Sequence, residues 1–120
     1  MAKTVLIVDD EPGIVVPLEF LMKQNGFSVM VAHSGEEALA FLNEKKPDLI
    51  LLDIMLPSCS GFEVCQRVRE NPGWKDIKII LLTAKSREVD MAKGMALGAD
   101  AYVTKPFSTR ELVKKVAQMI

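Results

Sequence analysis

The chain predicts an α/β domain, a parallel sheet sandwiched between two layers of helix. Three observations carry this. Short runs rich in Val, Ile and Leu alternate strictly with longer amphipathic stretches, the signature of βαβ units. The runs Val5-Leu6-Ile7-Val8, Leu49-Ile50-Leu51-Leu52 and Ile79-Ile80-Leu81-Leu82 are continuously apolar, as strands are when both faces are covered. Each run also stops abruptly at a residue that can do chemistry: Asp9-Asp10-Glu11, Asp53 and Thr83, with Lys105 ending a fourth run, Ala101 to Thr104.

The first strand covers about Thr4 to Asp9. The next stretch, Pro12 to Gln24, is helical and stops at Asn25-Gly26. Pro17 lies inside it, where a proline removes a backbone bond, so a late start near Val15 or Val16 is expected. Phe27 to Ala32 forms the second strand. Ser34 caps the second helix, with Glu37 at capping-box spacing; Ala38, Leu39, Phe41 and Leu42 are its apolar face, and Lys45-Lys46-Pro47 ends it. Leu49 to Asp53 is the third strand, followed by a loop holding Pro57 and Gly61. Phe62, Val64, Cys65 and Val68 line the third helix, closed by Asn71-Pro72-Gly73, with Trp74 in the following loop. Ile77 to Leu82 is the fourth strand, and Glu88 to Leu97 the fourth helix, stopped at Gly98. Asp100 to Thr104 is the fifth strand. Ser108 or Thr109 caps the last helix, whose apolar face is Leu112, Val113, Val116 and Met119.

The length, 120 residues, suits one domain over residues 1–120. A net charge of −1 gives no basic field to attract nucleic acid or anionic lipid. The apolar runs are too short to cross a bilayer, and the N-terminus lacks the long apolar region of a signal peptide, so a cytoplasmic location is expected. No Cys/His spacing suits zinc: Cys59, Cys65 and His33 read as packing or surface residues, and a cytosolic protein is not expected to pair the two cysteines.

Ligands of parallel sheets sit outside the carboxyl ends of the strands, so three carboxylates, a hydroxyl and an amine should converge. In that order these motifs resemble the receiver domain of bacterial two-component response regulators: Asp9-Asp10 after strand one, Asp53 after strand three, Thr83-Ala84 after strand four and Lys105-Pro106-Phe107 after strand five. The resemblance runs from Lys3 to Ile120. It implies a flavodoxin-like three-layer sandwich with five helices and strand order 2-1-3-4-5; that order comes from the resemblance, not from patterning.

Clustered carboxylates repel one another and titrate as a coupled set unless a cation is present. A hard divalent ion, Mg²⁺ or Mn²⁺, resolves the conflict with oxygen ligands and retained waters. Asp10 and Asp53 are the direct ligands on this reading, with Asp9 acting through water; the resemblance adds the backbone carbonyl of Met55. Asp53 is then the phosphoacceptor, since a carboxylate attacking phosphorus gives an acyl phosphate. Lys105 supplies positive charge, Thr83 a hydroxyl donor, and Ala84 room for the donor. Taken singly, Lys105 is a surface lysine and Thr83 a strand-end threonine; their position at strand ends makes the difference. Glu11 reads as a helix-capping acid.

The resemblance further implies a cis Lys105-Pro106 peptide and a switch role for Tyr102, with phosphorylation changing the face formed by helix four, strand five and helix five. Lys93 and Glu111 match charges that pair across a homodimer in one branch of the family, whereas Ala101 stands where an acid is usual. Met55 and Lys85 occupy positions that affect phosphate lifetime. The implied partners are a histidine kinase or phosphotransfer protein, and either a C-terminal output domain follows or the domain acts alone. The chain is expected to be a signalling module rather than an enzyme. A phosphatase of the haloacid dehalogenase type would need an acid where Met55 stands, and a flavin-binding flavodoxin would find Asp9-Asp10-Glu11 repelling its cofactor phosphate.

Overall fold

The computed structural model describes residues 2–56, 59–84 and 88–120; Pro57 and Lys85 lie outside the described residues. The elements run β1 (Thr4–Val8), α1 (Pro12–Gln24), β2 (Ser28–Ala32), α2 (Gly35–Glu44), β3 (Leu49–Asp53), α3 (Gly61–Glu70), a 3-10 turn (Pro72–Trp74), β4 (Lys78–Ala84), α4 (Glu88–Ala96), β5 (Ala101–Lys105) and α5 (Thr109–Met119). The strands form one parallel sheet in the order β2-β1-β3-β4-β5, the order the resemblance implied.

Successive residues of a strand point to opposite faces, and the core divides accordingly. Val5, Ile7, Leu49, Leu51, Ile80 and Leu82 pack with Val15, Leu18 and Met22 of α1 and Leu112, Val113 and Val116 of α5. Leu6, Val8, Ile50, Leu52, Ile79 and Leu81 pack on the other face with Ala38 and Leu42 of α2 and Val64, Cys65 and Val68 of α3. The strand runs are continuously apolar because both sets are buried. Trp74 is no idle loop residue: it sits in the 3-10 turn and packs against the second cluster. Both cysteines are buried and free.

Several boundaries differ from the sequence expectation. The first helix begins at Pro12, not near Val15, and runs through Pro17. Pro17 lies on the exposed side with Gly13, whose carbonyl would have been its partner, so water can take the bond that the missing N–H leaves open. Strand β4 extends to Ala84 and β5 to Lys105, because the ladder continues beyond the apolar run, with Thr83 opposite Thr104 and Ala84 opposite Lys105. Ser34, Ser60 and Ser108 each accept a bond from the N–H three residues on, closing orphan donors at three helix starts. The stops at Gly26 and Gly98 have φ of +89° and +107°, a conformation glycine adopts without Cβ strain.

At the amino-terminal edge, Arg69 of α3 ties three segments together. Its guanidinium donates to the carbonyls of Gly98 (2.7 Å) and Ile77 (2.8 Å) and to the Asp100 carboxylate (2.7 Å), which also accepts the Ile79 N–H at 2.8 Å. This hub sets where β4 and β5 begin.

At the opposite end, Gly61 starts α3 directly against the backbone of β3. A Cβ there would press on the Asp53 carbonyl oxygen and lie 2.8 Å from Ile54 Cα. Backbone cannot yield as a side chain does, so Gly61→Ala is expected to destabilise the protein by about 1–3 kcal/mol, read as a lower urea midpoint with unchanged m-value.

Candidate functional site

Asp9 follows β1, Asp53 is the last residue of β3, and Lys105 the last of β5. The order of the sheet places β1 beside β3, so both acids meet at the carboxyl edge of the sheet, where the strand order reverses. Asp9 is fully buried and Asp53 is 3% exposed; Asp10 is exposed. One carboxylate oxygen from each of Asp9, Asp10 and Asp53 lies within 4.8 Å of the others. Octahedral Mg²⁺ binds oxygens at about 2.1 Å, so this acidic oxygen set fits such an ion after a small contraction.

The Lys105 ammonium joins the cluster. Its Nζ lies 3.2 Å from Asp9 Oδ2, 3.2 Å from Asp53 Oδ2 and 3.1 Å from Glu11 Oε1. Backbone donors hold the remaining oxygens: the Glu11 N–H bonds Asp9 Oδ1 at 2.9 Å, and the Met55 N–H bonds Asp53 Oδ1 at 3.1 Å. The Lys105-Pro106 peptide is cis.

Burial pushes the Asp53 carboxyl above the ordinary carboxylate value, and the Asp9 charge adds to this; Lys105 and the Met55 N–H oppose both without cancelling them. Burial alone would lower the Lys105 ammonium, but Glu11, Asp53 and Asp9 outweigh it and hold its pKa up.

The sequence-expected residues are therefore largely brought together. Thr83 is buried at the end of β4, and its hydroxyl makes a long 3.5 Å contact to the Ala84 carbonyl. Ala84 is exposed beside it. Met55 is 64% exposed and adjoins Asp53 through its N–H. Tyr102 stands apart on β5, 42% exposed, lining a cleft of about 570 Å³ with Met91 and Met95 of α4. Glu11 corrects the sequence reading: it occupies the N-cap position of α1 but makes no side-chain capping bond, because Lys105 draws its carboxylate away. Its place next to the acid pair was the only signal for this.

A family model described as the response regulator receiver domain matches residues 5–117. The chain is a member of the response regulator receiver domain family. Receiver domains are phosphorylation-dependent signalling modules of two-component systems. Among solved structures, this receiver domain is similar to the chemotaxis response regulator CheY4 of Vibrio cholerae, at 30% identity over 100% of both chains with a TM-score of 0.93. It is also similar to a protein described as a response regulator of Chloroflexus aurantiacus, at 37% identity over 99% of this chain and 98% of that one with a TM-score of 0.93. The BeF3-activated DrrB receiver domain matches at 33% identity over 99% and 97%, with a TM-score of 0.88. No helix among the described residues is long and apolar enough to cross a membrane.

The raised Asp53 pKa has a stability consequence. The folded state holds the Asp53 proton more tightly than the unfolded chain, so ionising this group as pH rises removes stability. Without divalent metal, Asp53→Asn is expected to melt higher than wild type at pH 7. The gain should shrink as pH falls through the raised folded-state value and vanish well below the ordinary carboxyl value of about 3.9, where the wild-type group is protonated in both states; calorimetry across that range measures it.

Proposed function

We propose that Asp53 accepts a phosphoryl group from a histidine kinase or phosphotransfer protein, and that the change is read on the face formed by α4, β5 and α5. The observation that carries this reading is the single ammonium shared by Asp9 and Asp53 at 3.2 Å, although the three residues lie 44 and 52 positions apart along the chain. Burying like charges around one cation is costly, and such clusters concentrate at functional sites.

A carboxylate oxygen of Asp53 attacks phosphorus. An O–P bond forms, the P–N bond to the donor imidazole breaks, and the imidazole leaves with the electron pair. Such transfer depends on positioning and on charge stabilisation. When bound, a divalent ion held by Asp10, Asp53 and the Met55 carbonyl, with Asp9 acting through water, supplies positive charge for the phosphoryl oxygens. Lys105 neutralises a further oxygen, the Thr83 hydroxyl turns from its long contact to donate to another, and exposed Ala84 leaves space for the donor. With Met55 in place of an acid, nothing at that position protonates a leaving group, which favours a phosphoacceptor over a fast phosphatase.

Movement of Thr83 leaves space behind β4. Tyr102 is partly outside and beside the α4 cleft, positioned to turn inward. Helix α4 is lightly anchored: the residues buried along it are Asp90 and Gly94. The proposed setting is the cytoplasm, where such donors act.

Two measurements test the reading. With Mg²⁺ and acetyl phosphate, wild type should take up about one phosphoryl group, Asp53→Asn none, and Lys105→Ala less than wild type; chelating the metal should stop uptake. Normal uptake by Asp53→Asn would show that another residue is the acceptor. A dimer through α4, β5 and α5 would need Lys93, whose Nζ lies over the Phe62 ring at 4.6 Å, to be free for a partner. Sedimentation with beryllofluoride should show dimers on that reading, and a monomer in both states rejects it.

A further inference from the structure

The Lys105 ammonium has three N–H donors; it donates hydrogen bonds to Asp9 and Glu11 and forms an ion pair with Asp53 at 3.2 Å. The three contacts are not equivalent. Asp9 is fully buried and also anchored by the Glu11 N–H. Asp53 would carry the phosphoryl group itself. The Glu11 side chain is 58% exposed, so water can reclaim its charge at little cost. Glu11 also lines a cleft of about 410 Å³ beside Lys105, together with Gly13, Ile14, Ala84 and Pro106.

For Lys105 to bind a phosphoryl oxygen, one contact must yield, and Glu11 is the one that yields most easily. Until it does, it competes for the cation. We propose that Glu11 is a positioning residue that holds Lys105 away from the phosphoryl group and so slows phosphoryl capture at Asp53. This rests on the phosphoacceptor reading of Asp53. Glu11 makes and breaks no covalent bond: with acetyl phosphate, an Asp53 oxygen bonds to phosphorus while the bond from phosphorus to the acetyl oxygen breaks, and acetate leaves with the electron pair. The contribution of Glu11 is to the availability of the lysine. Its side chain makes no capping bond, so replacing it removes no side-chain cap from the start of α1.

Glu11→Gln keeps the length and an acceptor oxygen but removes the charge. With Mg²⁺ saturating for each variant, it should accelerate acyl phosphate formation from acetyl phosphate roughly three- to fivefold, the scale of a partly exposed ion pair. Beryllofluoride should bind more tightly by a similar factor. The acceleration should fade at about 1 M salt, where the Debye length is about 3 Å, and the melting temperature should not change. In a Lys105→Met background the same substitution should have almost no effect, a result that a general charge or folding role would not produce. A Glu11→Gln rate within about 1.5-fold of wild type, or full acceleration without Lys105, overturns the inference while leaving Asp53 as acceptor. A wild-type protein that takes up no phosphoryl group overturns both.

Discussion

One cation serves three carboxylates, and the rest of the site is arranged around that constraint. Lys105 starts from β5, while its partners stand at the ends of β3 and β1. To reach them its side chain must pass over the end of β4, where the residues, Thr83 and Ala84, are small. The cis peptide to Pro106 lies immediately beyond. Burial then strengthens each attraction and each repulsion alike, leaving Asp53 reluctant to ionise and Lys105 reluctant to lose its proton.

Such a cluster costs stability, and the fold offsets it elsewhere. Two buried apolar clusters, one on each face of the sheet, supply the main driving force. At the far edge, the Arg69–Asp100 hub satisfies backbone groups that would otherwise be stranded where three segments meet. The strained chemistry and the rigid anchoring therefore occupy opposite ends of one sheet.

That division also suits a switch. Helix α4 is held at its far end, where the Gly98 carbonyl accepts from Arg69, while Gly94 lets it approach Leu81 of the sheet closely. On the proposed reading, a change of charge at Asp53 would act towards α4 and the half-exposed Tyr102. The α1 helix packs Val15, Leu18 and Met22 fully against the sheet and is held more firmly.

Local patterning determined most of the architecture by itself. Apolar runs gave strands, serine caps and glycine stops bounded helices, and the polar residue ending each run marked the site, because each of these signals acts over a few neighbouring residues. Patterning could not supply the strand order, which came from the family resemblance and was borne out. It also misjudged Pro17, whose tolerance depends on an exposed turn, and Glu11, whose partner is 94 residues away. Only the tertiary structure decided which carboxylates share the lysine, because an ion pair forms by distance in space, and distance across a sheet is set by the order in which strands are laid down.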